Sequence, residues 1–292
     1  MPETETWTVG RLVPWTTGYL KDHGADSPRL DAEILLANAL GCRRIDLYAT
    51  FDQVPPEGPR AAFRQMVRRR VDGTPVAYLV GHCEFYSLTF RVTPDVLIPR
   101  PETELLVVGL LDLAKAQTVG KPLNIADVGT GSGILAVCAA KHLPSCRVTA
   151  IDTSAAALEV ARANAAEHGV AERIRWVHGD LFAAVDPQHR FDFVVSNPPY
   201  VSTAELQTLP RDVRDFEPHQ ALVAGPRGTE VIEALVPQAA DRLHSGGHLL
   251  LEISPMIHDA VRSLLDADNR WRLLPTVKDL ARLPRVVQAV RV

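Results

Sequence analysis

The feature that most constrains the fold is a strand, a glycine-rich turn and a helix that follow one another in the middle of the chain. An apolar run at residues 123–128 predicts a buried strand, and a second apolar stretch at 134–140 predicts a helix. The turn between them consists of Gly129, Thr130, Gly131, Ser132 and Gly133. Glycines allow the positive φ of a tight turn and let a ligand approach the backbone closely.

A second predicted strand, at residues 147–152, ends in Asp152. An acidic side chain at that strand end suits the two hydroxyls of a ribose. The turn has the spacing G-x-G-x-G rather than the G-x-G-x-x-G of dinucleotide folds, and nothing near it resembles a phosphate clamp. The combination therefore indicates an adenosine-containing ligand other than a dinucleotide.

A further predicted strand, at residues 191–196, leads directly into Asn197, Pro198, Pro199 and Tyr200. The two prolines remove two backbone donors and stiffen the chain where the strand leaves its sheet. A carboxamide held rigidly there can accept a hydrogen bond from a substrate NH2 group, and Tyr200 offers an aromatic face to a planar group. Taken alone, the tetrapeptide is also compatible with a plain proline-rich turn.

The strand before Asn197 is the fourth of the predicted series, and it is expected to lie beside the first across the switch point of a doubly wound sheet. Ligands in such sheets bind at the carboxyl ends of the strands next to that point. A nucleoside held by the first two strands would then face an NH2 group held by the fourth. This arrangement predicts methyl transfer from S-adenosylmethionine to a planar nitrogen.

Composition agrees with a globular enzyme. The chain has 292 residues, 46% of them hydrophobic and 23% charged, which is enough for a sizeable core and a second, smaller domain. The net charge of −4 provides no overall basic field to hold nucleic acid. The ten histidines show no metal-ligand spacing, so we predict no metal.

The cysteines and the hydropathy pattern indicate a compartment. The four cysteines show no C-x-x-C spacing and are most simply free thiols of a reducing environment: Cys42, Cys83, Cys138 and Cys146. No long apolar segment and no signal peptide are evident, so we expect no membrane association. Together these observations predict a cytoplasmic protein.

Periodicity divides the chain into three parts. Residues 1–72 are predicted to be helical, with one helix from Ser27-Pro28 to Gly41 and another at about 56–71. Residues 73–103 are predicted to form short strands around Gly81, as a β-hairpin linker. From residue 104 to residue 292, strands and helices alternate, which predicts an α/β domain with a mostly parallel sheet. Strands are expected at residues 123–128, 147–152, 174–179, 191–196, 247–253, 271–277 and 285–291.

Four segments give the chain a resemblance to a known family. Residues 73–107 read GTPVAYLVGHCEFYSLTFRVTPDVLIPRPETELLV, and the amino-terminal part contains PRLDAEILLANALG. With the GTGSG turn and the Asn-Pro-Pro-Tyr segment, they resemble the HemK/PrmC family of release-factor glutamine methyltransferases. The resemblance implies a class I S-adenosylmethionine-dependent methyltransferase, with a Rossmann-like seven-stranded sheet and an amino-terminal helical domain that binds the substrate.

The resemblance also implies an activity, a partner and residue roles. The substrate would be the side-chain amide nitrogen (N5) of the glutamine in the Gly-Gly-Gln motif of bacterial class-1 peptide-release factors, with no direct nucleic-acid substrate. Asp180 and Leu181 would flank the adenine, although the family often has an aromatic residue where Leu181 stands. Asn197 and the carbonyl of Pro198 would accept the two amide hydrogens. The turn residues 129–133 would wrap the methionine part of the cofactor.

Two other functions fit parts of the pattern. An adenine-N6 nucleic-acid methyltransferase would also use Asn-Pro-Pro-Tyr, but it needs a basic region to extract its base, and the net charge argues against one. A binding module that has lost turnover would keep only the fold. Two charged groups have alternative interpretations as well. Arg100, Glu102 and Glu104 could be part of the substrate mouth or form a structural ion pair. The arginine stripe Arg60, Arg64 and Arg68, with Arg69 and Arg70, could be a docking surface or a solvated face.

Overall fold

The computed structural model describes residues 6–116 and 122–292. The first five residues of the predicted helical domain, and residues 117–121 of the predicted methyltransferase domain, lie outside the described residues. The chain forms two compact units. Among the described residues, one unit comprises those up to His82 together with Arg211–Phe216, and the other comprises those of Cys83–Pro210 and Glu217–Val292. The boundaries expected from the sequence, 1–72, 73–103 and 104–292, stay predictions.

Helices and strands alternate along most of the chain. In chain order, the helices are α1 (Val9–Asp22), α2 (Pro28–Leu40), α3 (Asp46–Ala49), α4 (Glu57–Val71), α5 (Val76–Val80), α6 (Glu104–Ala116), α7 (Ile134–His142), α8 (Ala155–Glu167), α9 (Arg211–Phe216), α10 (His219–Leu222), α11 (Glu230–Arg242) and α12 (His258–Asp266). The strands are β1 (His82–Phe85), β2 (Leu88–Arg91), β3 (Asn124–Val128), β4 (Arg147–Asp152), β5 (Ile174–His178), β6 (Phe191–Ser196), β7 (Val201–Ser202), β8 (Val223–Gly225), β9 (Leu243–Glu252), β10 (Trp271–Leu273), β11 (Val277–Lys278) and β12 (Pro284–Arg291). Short 3-10 helices cover Pro101–Thr103, Ala171–Arg173, Glu205–Thr208 and Pro255–Ile257.

The smaller unit is built from helices around one apolar core. Leu35 and Leu36 of α2 are fully buried, and Phe63 of α4 is only 2% exposed. The helix expected between Ser27 and Gly41 is confirmed: Pro28 occupies its first turn, and Gly41 ends it with a φ of 64°. The helix expected at about 56–71 is also confirmed, as α4.

The arginine stripe on α4 is mostly paired within this unit. Arg60 and Arg64 both contact Glu57, at 2.6 Å each. Arg70 lies 2.9 Å from Asp31. These contacts favour a structural interpretation of the stripe, since an arginine already held by a carboxylate has fewer donors left for a partner.

The linker differs from the predicted run of strands. Residues Val76–Val80 form the helix α5, because the Pro75 carbonyl accepts hydrogen bonds from the amides of Tyr78 and Leu79. Gly81, with a φ of 81°, then ends this helix. The hairpin itself is confined to β1 and β2. Its turn residues both have positive φ, as a two-residue turn between twisted strands requires: Tyr86 (50°) and Ser87 (59°).

In the larger unit, the described residues form an eight-stranded sheet rather than the seven-stranded one that the resemblance implies. The order is β10-β12-β9-β6-β3-β4-β5, with β11 paired to β12. The pairs β6–β9, β3–β6, β3–β4 and β4–β5 are parallel, and β12 runs antiparallel to its neighbours. The prediction that the strand before Asn197 lies beside the first strand is confirmed, with Ile125 opposite Phe193. The strand expected at 271–277 is interrupted instead, at Pro275, which has no amide hydrogen for the ladder.

Alternating side chains of the central strands feed two apolar layers. Ile125 and Phe193 belong to a cluster with α6 and α7 on one face of the sheet. Ala126 and Val194 belong to a cluster with α11 and α12 on the other face. This two-residue period fixes the register of β3 and β6, and with it the positions of the loops at their carboxyl ends. No helix within the described residues is long and apolar enough to cross a membrane.

Candidate functional site

The glycine turn between β3 and α7 has the local structure that the sequence predicts. Gly129, Gly131 and Gly133 have φ values of 73°, 54° and 83°. The amides of Gly129 and Thr130 donate to the carbonyl of Ile151 at 2.9 and 3.0 Å, which ties the turn to β4. A Cβ at Gly133 would lie 2.9 Å from the Cβ of Ala161, closer than carbon atoms pack. Position 133 therefore requires glycine for both its φ and its space.

Asp152 is fixed beside this turn at the end of β4. One carboxylate oxygen, Oδ2, accepts from the amide of Gly131 at 2.8 Å, and Oδ1 accepts from the amide of Ser154 at 2.8 Å. A carboxylate oxygen has two lone-pair directions, so each oxygen can take one further donor. Two fixed oxygens beside an open turn fit the vicinal hydroxyls of a ribose.

A second acidic residue, Asp127, supports the turn from inside and is not among the residues that the sequence predicts for the site. It is fully buried, and its Oδ2 accepts from the Thr130 hydroxyl at 2.6 Å and from the Ala136 amide at 3.0 Å. Its Oδ1 has no hydrogen-bond partner among the described residues. Burial raises the pKa of Asp127 to about 7. The available signal was an acidic residue inside a predicted buried strand, two positions before the first glycine.

An open cleft lies at the carboxyl ends of β3, β4 and β6. Seven residues predicted for the site line it: Gly129, Thr130, Gly131, Ser132, Asp152, Asn197 and Pro199. Five others do not form part of its lining: Gly133, Pro198, Tyr200, Asp180 and Leu181. The roles predicted for all of these residues stay predictions, but most of the polar groups expected at the site share one cleft.

Two segments complete the cleft wall, and neither was predicted to belong to it. One is Asp95, Val96, Leu97 and Pro99, from the loop after the hairpin, and the other is Pro218, Gln220 and Ala221. Glu217 joins the two segments, since its buried carboxylate accepts from the amide of Ile98 at 3.1 Å and from the guanidinium of Arg100 at 2.5 Å. Arg100 thus makes an ion pair that shapes the wall. This contact favours the structural ion pair over the substrate mouth as the interpretation of Arg100.

The polar groups of Asn197 are divided between the protein and the cleft. Its Nδ2 donates to the Oγ1 of Thr103 at 3.2 Å, so its Oδ1 remains to accept a hydrogen bond. Tyr200 lies behind it, with its ring against the second apolar layer and its hydroxyl donating to Glu252 at 3.4 Å. Burial and the nearby Glu252 carboxylate raise the pKa of Tyr200, so its hydroxyl keeps its hydrogen at neutral pH.

Asp180 and Leu181 follow β5. Asp180 is exposed, and Leu181 is half-buried against the second apolar layer with a φ of 46°. A positive φ at a leucine is strained, and such strain often marks a position constrained by function. Among the described residues, no group of histidine, cysteine and acidic side chains could hold a metal ion. All four cysteines are free thiols.

Comparison with known proteins identifies the family. A model described as the PrmC N-terminal domain matches residues 11–81, and one described as the methyltransferase small domain matches residues 103–211. A release factor glutamine methyltransferase of Rhodopirellula baltica is 47% identical over 282 residues, which are 96% of this chain and 95% of that protein. One of Koribacter versatilis is 41% identical over 269 residues, covering 92% and 93%.

A solved structure shows likeness of fold alone. The complex structure of aTrm5 and tRNALeu aligns with 72% of this chain and 52% of its own, at a TM-score of 0.50 and 13% identity. The predicted fold class is confirmed, as are S-adenosylmethionine as the methyl donor and the methyltransferase activity. The chain belongs to the family of release factor glutamine methyltransferases.

Proposed function

We propose that this methyltransferase modifies the side-chain amide nitrogen of the glutamine in the Gly-Gly-Gln motif of class-1 peptide-release factors. The names of its relatives support a release-factor glutamine as substrate. The observation that carries the proposal is Asn197, whose Nδ2 is held by Thr103 while its Oδ1 is left for a donor at the cleft. A primary amide NH2 is such a donor.

The cleft fits the cofactor that the family uses. When bound, S-adenosylmethionine supplies a methyl group attached to a positively charged sulfur. The turn from Gly129 to Gly133 would hold its methionine part, because a turn without bulky side chains lets a ligand lie on the backbone. Asp152 would hold the ribose, and Asp180 and Leu181 would flank the adenine.

The residues around Asn197 address the low nucleophilicity of an amide. The amide lone pair is delocalised into the carbonyl, so the nitrogen reacts only when it is oriented. The Oδ1 of Asn197 and the carbonyl of Pro198 would accept the two hydrogens and aim the lone pair at the methyl group. As the nitrogen gains positive charge, its hydrogens become stronger donors, so both hydrogen bonds strengthen in the transition state.

Rigidity of the acceptors adds to this effect. Pro198 and Pro199 fix the backbone after β6, so little motion is lost when the substrate binds. Val96, Leu97 and Pro99 give the cleft an apolar wall. An apolar wall limits the water that competes for the amide hydrogens. We expect proton loss to follow methyl transfer, because the amide nitrogen becomes acidic only once it is alkylated.

A methyl-transfer assay tests the proposal. Labelled S-adenosylmethionine would be incubated with purified class-1 release factor, with its glutamine-to-alanine variant at Gly-Gly-Gln, and with an adenine-containing duplex. Label on the unaltered factor alone is the expected result. Label on the duplex would overturn the protein substrate and favour an adenine methyltransferase, and label on neither would favour a binding module. A cytoplasmic location and a role in translation termination belong to the same proposal.

A further inference from the structure

We propose that Glu252 is a positioning residue: acting through Thr103 and Tyr200, it fixes which end of the Asn197 carboxamide faces the cleft. This inference rests on the proposed function, because it concerns how the same site presents an acceptor to the substrate amide. Glu252 does not line the cleft and would act through its neighbours only.

The burial of Glu252 is unusual for a carboxylate. It ends β9, between the fully buried Leu251 and Ile253, and it is itself only 1% exposed. Its Oε1 accepts from Tyr200, and its Oε2 has no hydrogen-bond partner among the described residues. A carboxylate taken out of water with an oxygen unpaired lowers the stability of the fold. The stability of the fold therefore does not explain why an acid stands at this position. A role in orienting the hydroxyls of Thr103 and Tyr200 does explain it.

The hydrogen-bond direction follows from the chemistry of the three groups. The Thr103 hydroxyl lowers the pKa of Glu252, as a hydroxyl that faces a carboxylate with its hydrogen does. Because a carboxylate can only accept, we infer that the single hydrogen of Thr103 points to Glu252. The Thr103 oxygen then has only lone pairs to offer Asn197, and it accepts from Nδ2 at 3.2 Å. The flipped carboxamide would place two oxygens together with no hydrogen between them. Glu252 thereby directs Oδ1, rather than Nδ2, toward the cleft.

Tyr200 is held by the same carboxylate. Its hydroxyl donates to Oε1 of Glu252, so the last residue of the Asn-Pro-Pro-Tyr segment is fixed by the acid that orients the first. Thr103 is fully buried and Tyr200 largely so, which keeps water from replacing either partner. Both ends of the segment thus depend on one side chain from a different strand.

Burial and the charges around Glu252 bring its pKa into the physiological range. Burial and the nearby Glu102 raise its pKa, the hydroxyls of Thr103 and Tyr200 and the guanidinium of Arg285 oppose this, and the result is about 7. Arg285 is shared, since it also pairs with Asp279 at 2.8 Å and lies 3.7 Å from Glu102. A protonated Glu252 can donate to Thr103, which frees the threonine hydrogen for Oδ1 of Asn197 and removes the constraint.

Two pairs of variants test the inference. Glu252→Met keeps the size of the side chain and removes the acceptor, while Glu252→Gln removes the charge and replaces one oxygen by an NH2 donor, which imitates the protonated acid. Thr103→Val removes the relay and Thr103→Ser retains it. With release factor as substrate at pH 8, we expect Met and Val to lower kcat by about tenfold or more, Gln to lower it to the level that the wild type has below pH 7, and Ser to stay within about threefold. The KM for the factor and the affinity for the cofactor should change little.

A pH profile separates positioning from a structural role. The wild-type kcat should fall as the pH drops through about 7, and Glu252→Gln should lack that step. Asp127 also has a pKa of about 7 and can add a pH dependence of its own. The contribution of Glu252 is therefore the difference between the kcat profiles of the wild type and of Glu252→Gln. Side-chain amide NMR of the enzyme alone supplies a readout without turnover: the Asn197 NH2 signal, assigned with Asn197→Ala, should shift and exchange faster in Glu252→Met.

The outcomes distinguish the two proposals. If the wild type does not methylate release factor, the proposed function is wrong, and the Asn197 amide signal still decides the role of Glu252. If the wild type methylates the factor and Glu252→Met keeps kcat within about twofold, or leaves the Asn197 signal in place, the inference alone is overturned. Should Glu252→Met not fold, equal kcat values for Thr103→Val and Thr103→Ser would overturn it instead.

Discussion

The two sides of the cleft are held in place by different means. On the glycine-turn side, the contacts are made by the backbone and by residues close in sequence: Asp127, Thr130 and Ala136 hold one another, and Asp152 binds the amide of Gly131. On the Asn197 side, the contacts are made by side chains far apart in sequence, with Thr103 and Asn197 separated by 94 positions. The first side is determined by one continuous stretch of the chain, residues 127–152, and the second exists only when segments far apart in sequence have met.

The difference has a consequence for mutation. A change on the turn side should impair folding and cofactor binding together, because the same backbone serves both. A change on the Asn197 side should impair methyl transfer and leave cofactor binding intact, because the groups there orient the substrate amide and do not hold the cofactor.

The largest effect is expected from Asn197→Ala. Loss of the acceptor should lower kcat by about a hundredfold or more, since a hydrogen bond that strengthens in the transition state is removed. The affinity for S-adenosylmethionine, measured by calorimetry, should change less than about threefold. Asn269→Ala, at an exposed asparagine remote from the cleft lining, is the matched control and should turn over normally. Near-normal turnover of Asn197→Ala would contradict the proposed mechanism.

Gly133→Ala tests the turn side. The added methyl would meet Ala161 at 2.9 Å in a backbone with a φ of 83°, so we expect a loss of about 2–4 kcal/mol in the free energy of unfolding. Cofactor affinity should fall with it. Gly169→Ala is the control, because its φ is 69° but nothing lies within 4 Å of the added methyl, so only about 1–2 kcal/mol should be lost. Equal losses in both variants would show that the contact with Ala161 is unimportant.

Asp127→Asn tests the buried acid of the turn. The pKa of Asp127 is raised to about 7 in the folded protein from an ordinary value near 3.8, so the folded state binds the extra proton between these values. The stability it contributes is complete below pH 4 and is lost as the pH rises through 7, by on the order of 2–4 kcal/mol. Urea unfolding at pH 5 and pH 8 should show this loss in the wild type and a smaller one in Asp127→Asn. An unchanged difference between the two pH values in the variant would rule out Asp127 as its source.

The smallest effect is expected at the cleft wall. Arg100→Gln leaves the buried Glu217 with a weaker partner, and we expect a loss of about 1–2 kcal/mol in unfolding free energy and a severalfold rise in the KM for release factor. The exposed pair of Arg162 with Glu159 provides the control, since Arg162→Gln should cost less than about 0.5 kcal/mol. A rise in KM without any loss of stability would instead assign Arg100 to substrate contact.

The same contrast explains what the sequence could predict. The β3–turn–α7 unit was predictable because its signals, an apolar run, three glycines and another apolar run, are contiguous. The neighbouring positions of β3 and β6 followed from the rules of doubly wound sheets. The prediction of a strand at Val76–Val80 was wrong, because an apolar run of that length does not distinguish a helix from a strand. Pro75 before the run and Gly81 after it favour the helix.

The Asn197 side could be predicted only in part. Asn197 itself carries a local signal in the prolines that follow it. Thr103 and Glu252 carry none, because a threonine and a glutamate are ordinary residues until the fold places them together. The wall formed by residues 95–99 and 218–221 depends likewise on the carboxylate of Glu217, whose partner Ile98 is 119 positions away in sequence.

The late position of Glu252 in the chain links transfer to the completion of folding. The ribosome adds Glu252 52 residues after Tyr200, and β9, which carries it, pairs with the strand that leads into Asn197. A nascent chain can contain the whole glycine turn while the group that orients its acceptor has not yet been made. In an incompletely folded molecule, the Asn197 carboxamide would therefore not be oriented. Methyl transfer would begin only after β9 has paired with β6 and Glu252 is in place.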